Sequence, residues 1–205
     1  HMGYVMQLVA DKYLMHVYFG APLRALRGQA LARFVPNAAN VSRHETALNG
    51  LPQECPTFGY GDLREGALEA DLADGSRVLA LEYAGYRVID GKPALVGLPA
   101  SDGENAKTLE ITLRDALCGL EAVLSYTVFD DVSGLTRSVR VVNGGDSPLT
   151  LRRVMSACVD FPMADFRLLT LSGAWARERH WDERPLVQGE AAVSCAHGAS
   201  GHQSA

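Results

Sequence analysis

The chain has 205 residues, 47% of them hydrophobic and 21% charged, which suits one domain able to bury a proper core. Its net charge of -5 argues against nucleic acid as a partner, because phosphate binding needs a basic surface; 16 of the 19 basic residues are Arg, the others being Lys12, Lys92 and Lys107. No apolar run approaches the ~20 residues that cross a bilayer and no signal-peptide pattern is visible, so no membrane partner is expected.

His1-Met2 reads as a vector remnant, which implies that the natural N-terminus is missing. Strand-like runs follow at Tyr4-Leu8 and Tyr13-Gly20. Leu23 to Phe34, interrupted by Gly28, is the best helix candidate, and only moderately periodic. Gly50 to Arg64 has loop chemistry, yet displays aromatic and charged groups on a Gly/Pro-shaped backbone, as a binding or interface segment would. Asp74-Gly75-Ser76 is read as the turn joining Ala67-Leu72 to Val78-Val88.

Period-2 alternation then dominates. Leu109, Ile111 and Leu113 alternate with Glu110, Thr112 and Arg114, and Leu120, Ala122, Leu124, Tyr126 and Val128 repeat the pattern after a turn at Ala116 to Gly119. Leu135 to Val142, the turn Asn143-Gly144-Gly145-Asp146 and the run Leu149 to Phe161 read as a further hairpin. Strands recurring about every 8–12 residues, with few short helices, predict an all-β fold: a large antiparallel β-sandwich.

Cys55, Cys118, Cys158 and Cys195 lie far apart with no Cys-x-x-Cys spacing, so neither a metal site nor a redox pair is expected. Cys118 and Cys158 read as small buried hydrophobes, and a reducing cytoplasm is the expected localisation. His16 on a strand reads as a packed or surface residue, and His197 and His202 have no specific metal spacing. No Gly-x-Ser-x-Gly elbow or phosphate loop occurs, and no cofactor is implied. Hydrolysis of a glycoside would need two carboxyl groups flanking the scissile bond. The candidates Glu54, Asp62, Asp160, Asp165, Glu178, Asp182 and Glu183 cannot be paired by spacing alone.

Gly50-Leu51-Pro52-Gln53-Glu54-Cys55-Pro56-Thr57-Phe58-Gly59-Tyr60-Gly61-Asp62-Leu63-Arg64 resembles the pattern Gln-Glu-Tyr-Pro-x-Tyr-Gly-x-x-Asp-Phe-Arg of the family 36 glycoside hydrolases, the bacterial α-galactosidases. Cys55 replaces an aromatic of that pattern and Leu63 its Phe. Similar blocks occur in the same order at Tyr13-Gly20, Gly91-Ala100, Thr108-Asp115, Leu135-Ser138, Gly173-Arg179 and Gly198-Gln203, where Gly201 replaces a Ser. The resemblance thus covers nearly the whole chain. It implies a supersandwich of the galactose-mutarotase-like kind over residues 3–205, incomplete at its C-terminal end. It also implies that the nucleophile and acid/base are Asp residues of a (β/α)8 barrel outside these residues, since a barrel takes ~250 residues by itself. The fragment alone is then expected to be inactive.

Trp175 is either a core residue or a platform with an exposed indole face; the resemblance implies that it reaches the galactose pocket of a neighbouring subunit in a homo-oligomer. Asp62 and Arg64 would either pair with each other or face a partner's site, giving a weaker claim to bind the α-galactoside. Arg137 and Ser138 read as structural. Leu31 stands where relatives have an Asp that also contacts galactose, which leaves that contact in doubt. The competing readings are a free-standing carbohydrate-binding module and a purely structural sandwich.

Overall fold

The computed structural model describes residues 2–25, 48, 51–61, 64–97, 100–101, 103, 105–161 and 163–194. Ten strands run through them: β1 (Gly3–Val9), β2 (Tyr13–Gly20), β3 (Leu68–Asp71), β4 (Leu81–Asp90), β5 (Ala106–Asp115), β6 (Leu120–Phe129), β7 (Leu135–Asn143), β8 (Thr150–Val154), β9 (Arg167–Ala174) and β10 (Arg177–Pro185). All ladders are antiparallel, and no α-helix occurs among the described residues. The all-β expectation is met. Of the proposed helix, Leu23 to Ala25 is not helical and the remainder lies outside the described residues, as does Leu31.

The chain divides into two units, residues 1–160 and 161–205. In the first, β4-β5-β6-β7 form one sheet, while β1-β2 and β3-β8 form two-stranded ladders. The β1–β2 connection is a type I′ turn: Lys12 N–H donates to the Val9 carbonyl at 3.1 Å, and Ala10 and Asp11 have φ of 52° and 56°. That turn matches the twist of the two strands, which is why a residue as unsuited to positive φ as Ala is held there.

Alternation decides which face is buried. Ile111, Leu113, Leu120, Ala122, Leu124 and Tyr126 point inward from β5 and β6 and pack on Leu14 of β2, Leu68 and Ala70 of β3, Cys55 and Leu79. Leu68, Leu79, Leu120 and Leu124 have no accessible surface, each contributing on the order of 1.5–3 kcal/mol relative to exposure. The intervening residues, such as Glu110, Ser125 and Ser138, form a polar outer face, in register across three strands.

Two turns that read as hairpins are crossovers. β7 pairs only with β6, and after Asn143–Asp146 the chain leaves to pair β8 with β3. Likewise β3 does not pair with β4 across Asp74-Gly75-Ser76, although Leu72 N–H still donates to the Ser76 carbonyl at 2.9 Å. At the first turn, Gly144 N–H donates to the Gly119 carbonyl, and a Cβ on Gly145 would fall 2.1 Å from the Cys118 oxygen. These glycines serve the close approach of two turns. They do not close a ladder. The run from Leu149 to Phe161 yields only Thr150–Val154 as strand.

The cysteine reading also changes. Cys118 lies in a turn and Cys158 outside any strand, both half-buried. Among the described cysteines Cys55 is the buried one, and burial pushes its pKa up to about 12. The second unit is built on the β9–β10 hairpin, with the Phe161 and Phe166 rings 4.9 Å apart and Leu186 N–H donating to the Phe166 carbonyl at 2.8 Å.

Candidate functional site

Glu54 sits at the end of the Leu51–Glu54 segment, docked on β2 by backbone bonds: Glu54 N–H to the Leu14 carbonyl at 3.0 Å, and His16 N–H to the Pro52 carbonyl at 2.8 Å. This docking drives the side chain into the core, where it has no solvent-accessible surface. A naked carboxylate there would cost several kcal/mol. Four side chains compensate it. The Tyr4 hydroxyl lies 2.8 Å from both carboxylate oxygens, Tyr126 donates to Oε2 at 2.7 Å, and His16 Nδ1 donates to Oε1 at 2.9 Å. Arg137 Nη1 lies 3.5 Å from Oε2, while its Nη2 donates to the Glu54 backbone carbonyl at 2.8 Å.

The rings reinforce this arrangement. Arg137 lies 4.9 Å over the Tyr126 ring, and Tyr4 packs on His16 and Tyr126 at 5.1 and 5.5 Å. Burial, followed by the negative charge of Glu54, drives the Tyr126 hydroxyl far above the ordinary tyrosine range, and Tyr4 with it. Both remain protonated donors across neutral pH. Glu54 is therefore a clamp. With its oxygens occupied and no solvent contact, it cannot exchange a proton with a glycosidic oxygen.

Three of the other carboxylates singled out in the sequence are also committed. Asp160 pairs with Arg64, Glu183 pairs with Arg167, and Glu178 accepts the Ala176 N–H at 2.8 Å. Arg64 is thus held by a residue 96 positions away. Asp62 lies outside the described residues, as do Cys195, His197 and His202. Near the same loop, Tyr60 donates to Glu82 at 3.2 Å and Gln53 Nε2 donates to the Tyr60 carbonyl at 3.0 Å. No group of three potential metal ligands occurs among the described residues.

Trp175 occupies the two-residue tip between Ala174 of β9 and Arg177 of β10 and is 80% exposed. Ala176 beside it has a φ of 61°, and the Glu178 carboxylate holds that backbone from below. A side chain at such a tip has few neighbours within its own hairpin, which agrees with the exposure of the indole. Trp181 is cross-strand from Leu171 and is also exposed.

The family resemblance pointed to Trp175, and the sequence placed Tyr4, His16, Glu54, Tyr126 and Arg137 only as separate residues. Nothing local joins Glu54 to Tyr126 or to Arg137, 72 and 83 positions away. The available hint was polar residues on the inward parity of apolar strands.

Residues 12–205 match the model of the glycosyl hydrolase family 36 N-terminal domain. The α-galactosidase AgaA of Geobacillus stearothermophilus is 45% identical over 209 residues, covering 98% of this chain and 28% of that protein. The crystal structure of AgaA superposes with a TM-score of 0.88 at 43% identity, over 99% of this chain and 29% of that one. A variant of AgaA in complex with stachyose superposes at 0.87 and 45% identity, over the same shares. This chain spans less than a third of the length of these relatives. A family match of that extent is decisive: the chain belongs to the N-terminal domain family of the family 36 glycosyl hydrolases.

Proposed function

We propose that residues 3–205 are the non-catalytic N-terminal β-sandwich portion of an α-galactosidase that removes terminal α-linked galactose with retention. Two Asp residues of a (β/α)8 barrel outside this chain would act as nucleophile and acid/base, by double displacement. The similarity to AgaA along 98% of the chain carries this reading. The stachyose complex of its variant supports an α-galactoside as substrate of the assembled enzyme. The cytoplasm is the setting we assign, and a buried Cys55 thiol suits it.

The role we assign to this portion is to make subunit contacts in a homo-oligomer and to offer Trp175 to the galactose pocket of a neighbouring subunit. Galactose presents a patch of C–H groups that an indole face can cover. Exposure of Trp175 at a hairpin tip supports that use. Arg64, fixed by Asp160, and Asp62 carry a weaker claim to the same pocket.

The test is steady-state hydrolysis of stachyose by the assembled parent enzyme carrying Trp175→Ala. Loss of an aromatic platform is worth about 1–3 kcal/mol, so KM should rise at least about fivefold with the fold retained. An unchanged KM removes Trp175 from the pocket. The 205-residue chain by itself should release no galactose from an aryl α-galactoside. Turnover that a point change within the chain abolishes would overturn the division of labour.

A further inference from the structure

Two motifs singled out in the sequence, Gly91–Leu95 and Leu135–Ser138, serve nothing described so far except through Arg137. They meet on the outer face of the four-stranded sheet. Arg137 points inward to Glu54, so by alternation Thr136 and Ser138 point outward. Register then builds two rows across β5, β6 and β7. Glu110, Ser125 and Ser138 are directly opposite one another, as are Thr108, Thr127 and Thr136. Lys92, Pro93, Ala94 and Leu95 pass over these rows and enclose a cavity of ≈ 170 Å³.

We propose that this cavity is a binding site for a neutral polyol the size of one sugar ring. Its volume decides the size. Sites for drug-sized ligands run to about 300–1,000 Å³, whereas 170 Å³ holds on the order of five or six waters.

The lining decides the chemistry. Glu110 is an acceptor, 8% exposed, whose charge Arg87 Nε balances at 2.5 Å. The Thr108 hydroxyl donates to the Gly91 carbonyl and lies 2.8 Å from the Thr127 hydroxyl, which leaves lone pairs of Thr127 toward the cavity. Thr136, Ser138 and Arg140 have no hydrogen-bond or ionic partner among the described residues. A half-buried surface that mixes unpaired hydroxyls, one carboxylate acceptor and a guanidinium donor matches groups that both donate and accept, as sugar hydroxyls do. Pro93 and Leu95 supply apolar contact for a C–H face. Lys92 and Arg140 would also attract an anion, so phosphate is the competitor that tests the choice of a neutral ligand. The choice of galactose as the sugar rests on the α-galactosidase reading; the polyol chemistry does not.

The test is saturation-transfer NMR of the 205-residue chain with D-galactose, with inorganic phosphate as a competitor. Transfer to galactose is expected, unaffected by phosphate. Thr136→Val removes one hydroxyl at constant volume and should weaken binding about three- to tenfold. Ser138→Leu should abolish binding by filling the cavity, with circular dichroism confirming the fold. Trp175→Ala should leave this signal in place. Absence of transfer in the unsubstituted chain, displacement by phosphate, or a signal that survives both pocket variants overturns the proposal. A signal lost only with Trp175→Ala also overturns it, while leaving the platform reading intact.

Discussion

Strand β6 and strand β10 have the same length class and the same antiparallel pairing, yet their surroundings differ in kind. β6 buries six of its ten residues, inner positions such as Leu120 and Leu124 completely. Every residue of β10 is exposed, although its partner β9 carries Leu168, Leu169 and Leu171. Pairing alone therefore makes a strand and does not make a core. β6 lies between two neighbours in its sheet, with β2, β3 and Glu54 laid across its inner face. Within its own unit, the β9–β10 ladder has one face carrying Leu169, Leu171 and Trp181 that remain 49%, 47% and 67% exposed. A lone hairpin is marginal in water. The first region explains its own stability; the second points to a contact elsewhere.

The sharpest way to break this contrast is at Glu54. Glu54→Ala leaves the Arg137 guanidinium buried without its carboxylate, and strips Tyr4, Tyr126 and His16 of their acceptor. Removing one member of a buried ion pair costs about 3–5 kcal/mol. Urea denaturation followed by tyrosine fluorescence should show a loss of that size, with Glu54→Gln intermediate because one oxygen still accepts. A loss no larger than the ~0.5 kcal/mol of an ordinary surface substitution would mean that the clamp is decorative.

Alkaline pH probes the same clamp from the other partner. Burial, then the Glu54 charge, raises the Tyr126 hydroxyl above its unfolded value near 10. A raised folded value means that the stability Tyr126 contributes is complete below about pH 10 and is lost as pH climbs further, since only the unfolded chain then releases the proton. Above pH 10 each raised tyrosine loses up to about 1.4 kcal/mol per pH unit until the pH reaches its folded value, and Tyr4, nearer solvent and more screened, reaches that limit first. Thermal melts between about pH 9 and pH 11 should therefore steepen their decline above pH 10, and Tyr126→Phe should make that decline shallower while leaving the share due to Tyr4. A decline of equal slope in the variant would remove Tyr126 as its source.

What was legible in the chain followed the range of the interaction that decides it. Leu109 to Leu113 and Leu120 to Val128 announced β5 and β6, because alternation is local and the sheet has one apolar side. Asn143-Gly144 and Asp74-Gly75 announced turns correctly and hairpins incorrectly. The partner of β8 is β3, about 80 residues earlier, as Arg153 to Glu69 spans 84 positions. Tight turns say where a chain bends, and the layer that needs covering decides where it goes next. The clamp was illegible for the same reason. Each of its five members has an ordinary local reading, and only the docking of Gln53-Glu54 against β2 brings them together. For Trp175 the residues alone left core and platform both open, and it was the family resemblance that favoured display; its 80% exposure at the hairpin tip agrees with that reading. Cys55, in contrast, was singled out only as a departure from a pattern, when its position is in fact core.

The smallest expected effect on stability, and the one that sharpens the comparison most, lies on the β9–β10 hairpin. Leu169→Ser and Leu171→Ser together remove apolar surface that is about half exposed, so the folding free energy of residues 1–160 should change by less than about 0.5 kcal/mol. Association should respond instead. An exposed apolar strip flanked by charge, here with Arg167 and Glu183 paired beside it, behaves as an interaction surface. Identical chains most often satisfy such a surface as a symmetric dimer. Sedimentation velocity of the unsubstituted chain at micromolar concentration should give a species larger than a monomer, and the double variant should shift it toward monomer without moving the melting temperature. Were the unsubstituted chain a monomer, the strip would need segments outside these 205 residues as its cover. Were the double variant to melt lower while its association stayed the same, the hairpin would belong energetically with β6, and the contrast between the two regions would fail.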